Sequence, residues 1–145
     1  VMKRKIGLLA TARKKLHHPA TAIELYISPL FVKSVHYAKE HYDAFYFYSA
    51  KEGFLTQDER IEPYNVSIKN FSSKEKQEWA RKVIDELLTH EKPEETTVFL
   101  HGGWVYREHL QPALTRAGYH FEVPLQGYSI GNQLKWYDEQ NEASK

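Results

Sequence analysis

Residues 28–53 read SPLFVKSVHYAKEHYDAFYFYSAKEG. Within this stretch the period of the apolar residues changes from helical to extended, and that change decides the fold. Ser28 before Pro29 is a favourable helix start: the serine oxygen can accept from a free backbone N–H, and proline needs no bond in the first turn. Apolar residues then fall at Phe31, Val35, Ala38 and Tyr42. Spacings of four, three and four put them on one face of a helix, which must be packed on something. Ala44 to Tyr48, AFYFY, is dense in aromatics and reads as a central strand. Ser49-Ala50-Lys51-Glu52-Gly53 ends the unit, with glycine permitting a sharp turn.

The same alternation extends in both directions. Upstream, Lys5 to Ala10 (KIGLLA) reads as a buried strand after a basic start from Val1. Thr11 to Thr21 is polar, and Pro19 discourages helix at His18, so a loop is expected. Downstream, residues 54–71 contain Pro63 and keep no period. They read as a long, ordered loop with room for one short element. Ser72 to Glu75 spells a capping box, and Trp79, Val83, Ile84, Leu87 and Leu88 make one apolar stripe behind it. Glu91 to Glu95, with Pro93, reads as a surface linker. Thr96 to Leu100 (TTVFL) is a third strand, running into His101-Gly102-Gly103. Val105, Leu110, Ala113, Leu114 and Ala117 mark a helix stopped by Gly118. Pro112 lies inside that pattern and implies a kink or a late start. Tyr119 to Val123 is a fourth strand of edge character. Pro124 to Gly131 is a loop, Asn132 to Glu139 a closing helix, and the last residues are expected to fray. Strands alternating with helices need crossovers. The expectation is one α/β domain over residues 1–145: a mainly parallel, four-stranded sheet with helices on both faces.

Composition narrows the function classes. The chain has 145 residues, 41% hydrophobic and 27% charged, which suits a single globular core. Twenty basic against nineteen acidic residues leave +1, excluding a strongly cationic coat as the basis of nucleic-acid affinity. With no cysteine, disulfides, thiolate metal sites and cysteine nucleophiles are excluded, and a cytoplasmic location is expected. No apolar run approaches the ~18 residues of a membrane span. Ile6 to Ala10 is shorter than the roughly 7–15 residues of a signal-peptide core. The eight histidines show no metal-ligand spacing, so no metal and no cofactor is expected. Ten tyrosines supply either a wet-edged core or a stacking surface.

In open α/β sheets ligands bind beyond the carboxyl ends of the strands. That rule selects four segments. Thr11, Arg13, Lys14 and Lys15 follow the first strand and form a cationic loop suited to phosphate, although no P-loop spacing is present. Ser49 and Lys51 follow the second, Lys51 being a candidate catalytic lysine or phosphate ligand. Glu62 and Tyr64 follow in the long loop. Glu62 is a candidate general base or ribose ligand, and Tyr64 a candidate stacking platform. His101, Gly102 and Gly103 follow the third strand with free backbone N–H groups, and Tyr106 and Arg107 lie on the helix after them. Gly127 and Gly131 follow the fourth.

Pro19 to Tyr26, Ser28-Pro29-Leu30-Phe31, Ser49-Ala50-Lys51-x-Gly53-x-Leu55, Glu62-Pro63-Tyr64, Tyr106-Arg107, and Val123-Pro124-Leu125-x-Gly127 with Gly131-x-Gln133 occur in that order. This set resembles a family of uncharacterised small bacterial and phage proteins. Members of that family carry S-C-T-K-S-K, S-P-L-F, S-A-K-H-G-L-L and E-P-Y-D motifs. The strand-end lysines are more distantly similar to those of the YaaA peroxide-stress proteins and the archaeosine-synthase core. That resemblance implies a uracil-DNA-glycosylase-like fold and a nucleobase or nucleic-acid ligand. The chain departs from the family pattern at Ala10 to Lys15, at Glu52 and at Asn65, where serines, a cysteine, a histidine and an aspartate are exchanged.

Three functions compete. One is a nucleobase- or nucleotide-recognising pocket without chemistry, a phage- or defence-associated sponge or sensor. Another is a base-processing, glycosylase-like hydrolase acting on nucleic acid, single-stranded nucleic acid included. The last is a protein-interaction module using an aromatic surface.

Overall fold

Seven strands and five helices form in the computed structural model, which describes residues 3–143. Val1, Met2, Ser144 and Lys145 lie outside the described residues, and so does the first part of the basic start; residues 140–143, where fraying is expected, continue the closing helix instead. In chain order the elements are β1 (Arg4–Ala10), β2 (Ala20–Thr21), α1 (Ala22–Leu25), α2 (Pro29–His41), β3 (Ala44–Ser49), β4 (Gly53–Leu55), β5 (Arg60–Ile61), α3 (Ser73–Leu88), β6 (Thr96–Leu100), α4 (Trp104–Arg116), β7 (His120–Glu122) and α5 (Ile130–Ala143). Single 3-10 turns cover Ile68–Asn70 and Pro93–Glu95.

The main sheet has the order β4-β3-β1-β6-β7. It is parallel except at β4, which runs antiparallel to β3. The expected four strands are therefore five. The fifth, Gly53–Leu55, falls where the sequence keeps no period, because three residues buried throughout carry no alternation to read. The expected long loop also contains β5, which pairs with β2 in a separate two-stranded sheet. From β1 the chain first crosses to β3, then returns past β1 to β6. The order thus reverses between β1 and β6.

Alternation assigns the faces. Leu8, Tyr48, Val98 and Leu100 join the apolar stripes of α3 and α4 in one core. Leu9, Phe45 and Phe47 join Phe31, Val35 and Ala38 of α2 in the other, where α5 packs on α2. Gly7 lies in the middle of β1, and a Cβ there would sit 2.5 Å from the Tyr42 ring. Tyr42 therefore lies directly on the central strand, stacked on Phe99 at 5.0 Å.

Local signals form as read in several places. Ser28 Oγ accepts from Phe31 N, and Ser72 and Glu75 complete the reciprocal capping box. Gly118 ends α4 at φ +91°, a left-handed backbone that glycine adopts without strain. Pro112 sits inside a continuous α4 that starts at Trp104, so the start is not late. Three expectations are corrected. Leu88 is exposed, because the apolar stripe closes on Leu87. Gly131 belongs to α5 rather than to the preceding loop. Glu91 is buried rather than on a surface linker. Its carboxylate accepts from Arg4 Nε at 3.0 Å and from Tyr46 Oη at 2.6 Å, and its carbonyl from Tyr119 Oη at 2.6 Å. Among the described residues no helix is long and apolar enough to cross a membrane.

Candidate functional site: two hollows astride the end of β1

The carboxyl ends of β1, β3 and β6 open onto two hollows that share Thr11 and Ala12. Thr11 is held at the sheet end by β3: both its backbone N and its hydroxyl donate to Tyr48 O, at 3.2 and 2.9 Å. The loop after β1 then runs between the hollows as a partition.

The first hollow encloses about 330 Å³, part of it open to solvent, at the point where the strand order reverses. Its floor is Ala10, Thr11, His101 and Gly102, and its walls come from the start of α2 and from Gln133 and Tyr137 of α5. The floor is fixed by a buried polar network. His101 Nε2 shares a proton with Tyr42 Oη and Nδ1 with Tyr137 Oη, each at 2.6 Å. Tyr48 Oη donates to the His101 carbonyl at 2.6 Å. Complete burial lowers the His101 pKa to about 3, so the ring is neutral near pH 7. Burial likewise pushes the Tyr42 and Tyr137 hydroxyls well above the usual phenol range. Gly102 has φ +140°, and a Cβ there would sit 1.8 Å from Tyr48 Oη. Only glycine lets the chain leave β6 at this closeness.

The second hollow encloses about 480 Å³, again partly open, and is more polar. Thr11, Arg13, Lys15, Tyr64, Asn65, Ser67 and Tyr106 line it. Lys15 Nζ donates to Arg13 O at 2.7 Å and sits 4.5 Å over the Tyr64 ring. Desolvation first, and the Arg13 charge second, lower its pKa. Tyr64 is in turn fixed by a 2.5 Å bond between its hydroxyl and that of Tyr26.

Of the residues singled out from sequence, Thr11, Arg13, Tyr64, His101, Gly102 and Tyr106 line one hollow or the other. Lys51 stands at the rim, its Nζ 5.7 Å from the Tyr64 ring and 3.9 Å from Glu52 Oε1. Ser49 is buried and structural: its Oγ accepts from Glu52 N, and its carbonyl from Trp79 Nε1. Arg107 is a brace, donating from Nε to Gly102 O at 2.9 Å and from Nη1 to Gln111 Oε1 at 2.8 Å. Lys14, Glu62, Gly103, Gly127 and Gly131 are exposed and line neither hollow. Lys15 lines the second hollow beside Arg13 of the same basic run, and the fold adds its partner, the distant Tyr64. Gln133 was read only as part of the resemblance, and sequence reasoning missed Tyr137. Among the described residues no group of three or more His, Asp and Glu side chains is arranged to hold a metal ion. The described linings of the two hollows also include no carboxylate.

A family model described as a family of unknown function (DUF6884) matches residues 6–139. No curated protein and no solved structure matches the chain.

Proposed function

The chain belongs to that family of unknown function, and we propose from the site itself that the protein is a nucleotide-binding sponge or sensor. The observation that carries this reading is the division of labour across Thr11 and Ala12. One hollow offers cations and hydroxyls; the other offers uncharged polar groups beside aromatic and apolar walls. A nucleoside monophosphate has the same division. Its phosphate suits Arg13, Lys15, Ser67 and Tyr106, and its base suits the neutral hollow of Leu30, Phe31, His101, Gln133 and Tyr137. The near-neutral total charge supports a small ligand over a long polyanion, because a single phosphate needs only a few cations. A uracil-DNA-glycosylase-like architecture, and a distant kinship with YaaA, belong to this reading as its broader frame. The base-processing enzyme ranks second, because Glu62, its candidate general base, is exposed and stands outside both hollows.

A thermal-shift series with inorganic phosphate, nucleosides, nucleoside monophosphates and short oligonucleotides tests the reading. Monophosphates are expected to raise the melting temperature more than nucleosides or phosphate alone, by mass action on the folded state. Lys15→Ala is expected to weaken monophosphate binding at least about tenfold, the size of one charge-assisted hydrogen bond. A response to single-stranded oligonucleotides alone would move the reading to base processing. No response to any of them would overturn it in favour of a protein-interaction surface.

A further inference from the structure

The neutral hollow is floored by a chain of hydroxyls and one imidazole, and the proton positions along that chain are not independent. Tyr42 Oη, His101 Nε2, His101 Nδ1 and Tyr137 Oη are linked through 2.6 Å contacts on either side of the ring. A neutral imidazole carries one proton, so one ring nitrogen donates and the other accepts. If Nε2 holds the proton, Tyr42 accepts it and Tyr137 must donate its own proton to Nδ1. The Tyr137 oxygen then has only lone pairs to offer a ligand. If Nδ1 holds the proton, it donates to Tyr137, and the Tyr137 hydroxyl proton is free to be donated to a ligand. Tyr42 then donates to Nε2. Each arrangement keeps both ring nitrogens satisfied, and moving between them shifts protons without moving heavy atoms.

We propose that His101 is a positioning residue that sets the hydrogen-bond polarity of Tyr137, so that the neutral hollow takes an uncharged heteroaromatic ring presenting either a donor or an acceptor. The inference rests on the nucleotide reading above and specifies what the base half of the ligand must be. Charge is excluded from this hollow by its own chemistry. His101 is buried and neutral near pH 7, and the two tyrosines resist ionisation. The described lining of this hollow contains no lysine, arginine, aspartate or glutamate. A buried charge without a partner is far costlier than a buried hydrogen-bonded dipole. The other polar groups here are partly committed. Ser34 Oγ donates to Phe31 O at 2.7 Å, and Gln133 Nε2 donates to Tyr128 O at 3.1 Å. Tyr137, with a reversible partner behind it, is the adaptable contact.

Cytidine and uridine 5′-monophosphates test this, since they share sugar and phosphate and reverse the donor and acceptor on the base edge. Wild-type protein is expected to bind both within a few-fold. Nitrogen-15 spectra of the His101 ring are expected to show the proton on opposite nitrogens in the two complexes. Tyr42→Phe removes the partner of Nε2. A buried N–H without an acceptor is less tolerated than a bare lone pair, so this variant holds the proton on Nδ1 and fixes Tyr137 as a donor. Its cytidine-to-uridine affinity ratio is expected to move about tenfold from that of the wild type, the lower end of one base contact's discrimination. The same tautomer in both complexes overturns the proposal, and so does an unchanged ratio in a folded Tyr42→Phe protein. Should that variant fail to fold, the wild-type spectra decide alone. Binding of only one of the two nucleotides overturns the inference and leaves the nucleotide reading standing, whereas failure of both, with no response to any other nucleoside monophosphate, overturns the nucleotide reading and the inference with it.

Discussion

Single residues carry the site unequally. Gly102 joins a left-handed backbone to a contact with Tyr48 that has no room for a methyl group. Gly102→Ala should cost on the order of 3 kcal/mol of stability, from strain and overpacking together. Urea unfolding checks this, and a loss under about 1 kcal/mol would mean that the Tyr48 hydroxyl yields freely. Lys15 and Lys51 form a second contrast. Lys15 lies inside the polar hollow and Lys51 at its rim, half exposed. Lys51→Ala should therefore change monophosphate affinity less than about threefold, where Lys15→Ala costs tenfold or more. Titration calorimetry on the two variants separates them. Both lysines are legible as basic residues beyond strand ends, but only the fold separates them, by setting Lys15 over Tyr64, forty-nine positions away in a stretch without period.

Elements were legible where one local pattern sufficed to build them. The Ser72–Glu75 cap and the stripe behind it are written within a few turns, and α3 forms as the pattern requires. Ser72→Ala should cost about 1 kcal/mol, read from the urea midpoint, because the Glu75 backbone N–H loses the serine oxygen that accepts from it. The connection from α3 to β6 was illegible for the opposite reason. Glu91 looks like a linker residue until β1 and β3 bring Arg4 and Tyr46 to it from 87 and 45 positions away. Glu91→Ala leaves the Tyr46 hydroxyl without its acceptor and should destabilise by about 1–3 kcal/mol. An unchanged unfolding midpoint would show that water replaces the carboxylate there.

For the whole molecule, the buried imidazole couples stability to acidity. The folded-state pKa of His101 is lowered from 6.5 to about 3. Between those values the unfolded chain binds a proton that the folded chain refuses. The stabilisation is complete above 6.5 and is lost as pH falls towards 3, at about 1.4 kcal/mol for each pH unit. Carboxylates titrate in part of this window, so the measurement is the difference between wild type and His101→Gln. The variant should show a shallower fall in unfolding free energy between pH 6 and pH 4. Equal slopes would mean that His101 becomes protonated in the folded state. The global architecture was only half legible. Alternating strand and helix patterns name an α/β sheet, but strand order is set by tertiary contacts. The reversal between β1 and β6, which creates the neutral hollow, has no local signature.

Gly7 ties the middle of the sheet to that hollow. It touches no lining group, yet its missing side chain is the space in which the Tyr42 ring rests, and Tyr42 in turn holds His101. A single methyl added at the centre of β1 would lift that ring and be felt at Tyr137, in the wall of the hollow, through Tyr42 and His101. Under the nucleotide reading, variation at this position would act as a change in what the hollow accepts, although it would be catalogued as a change in the core.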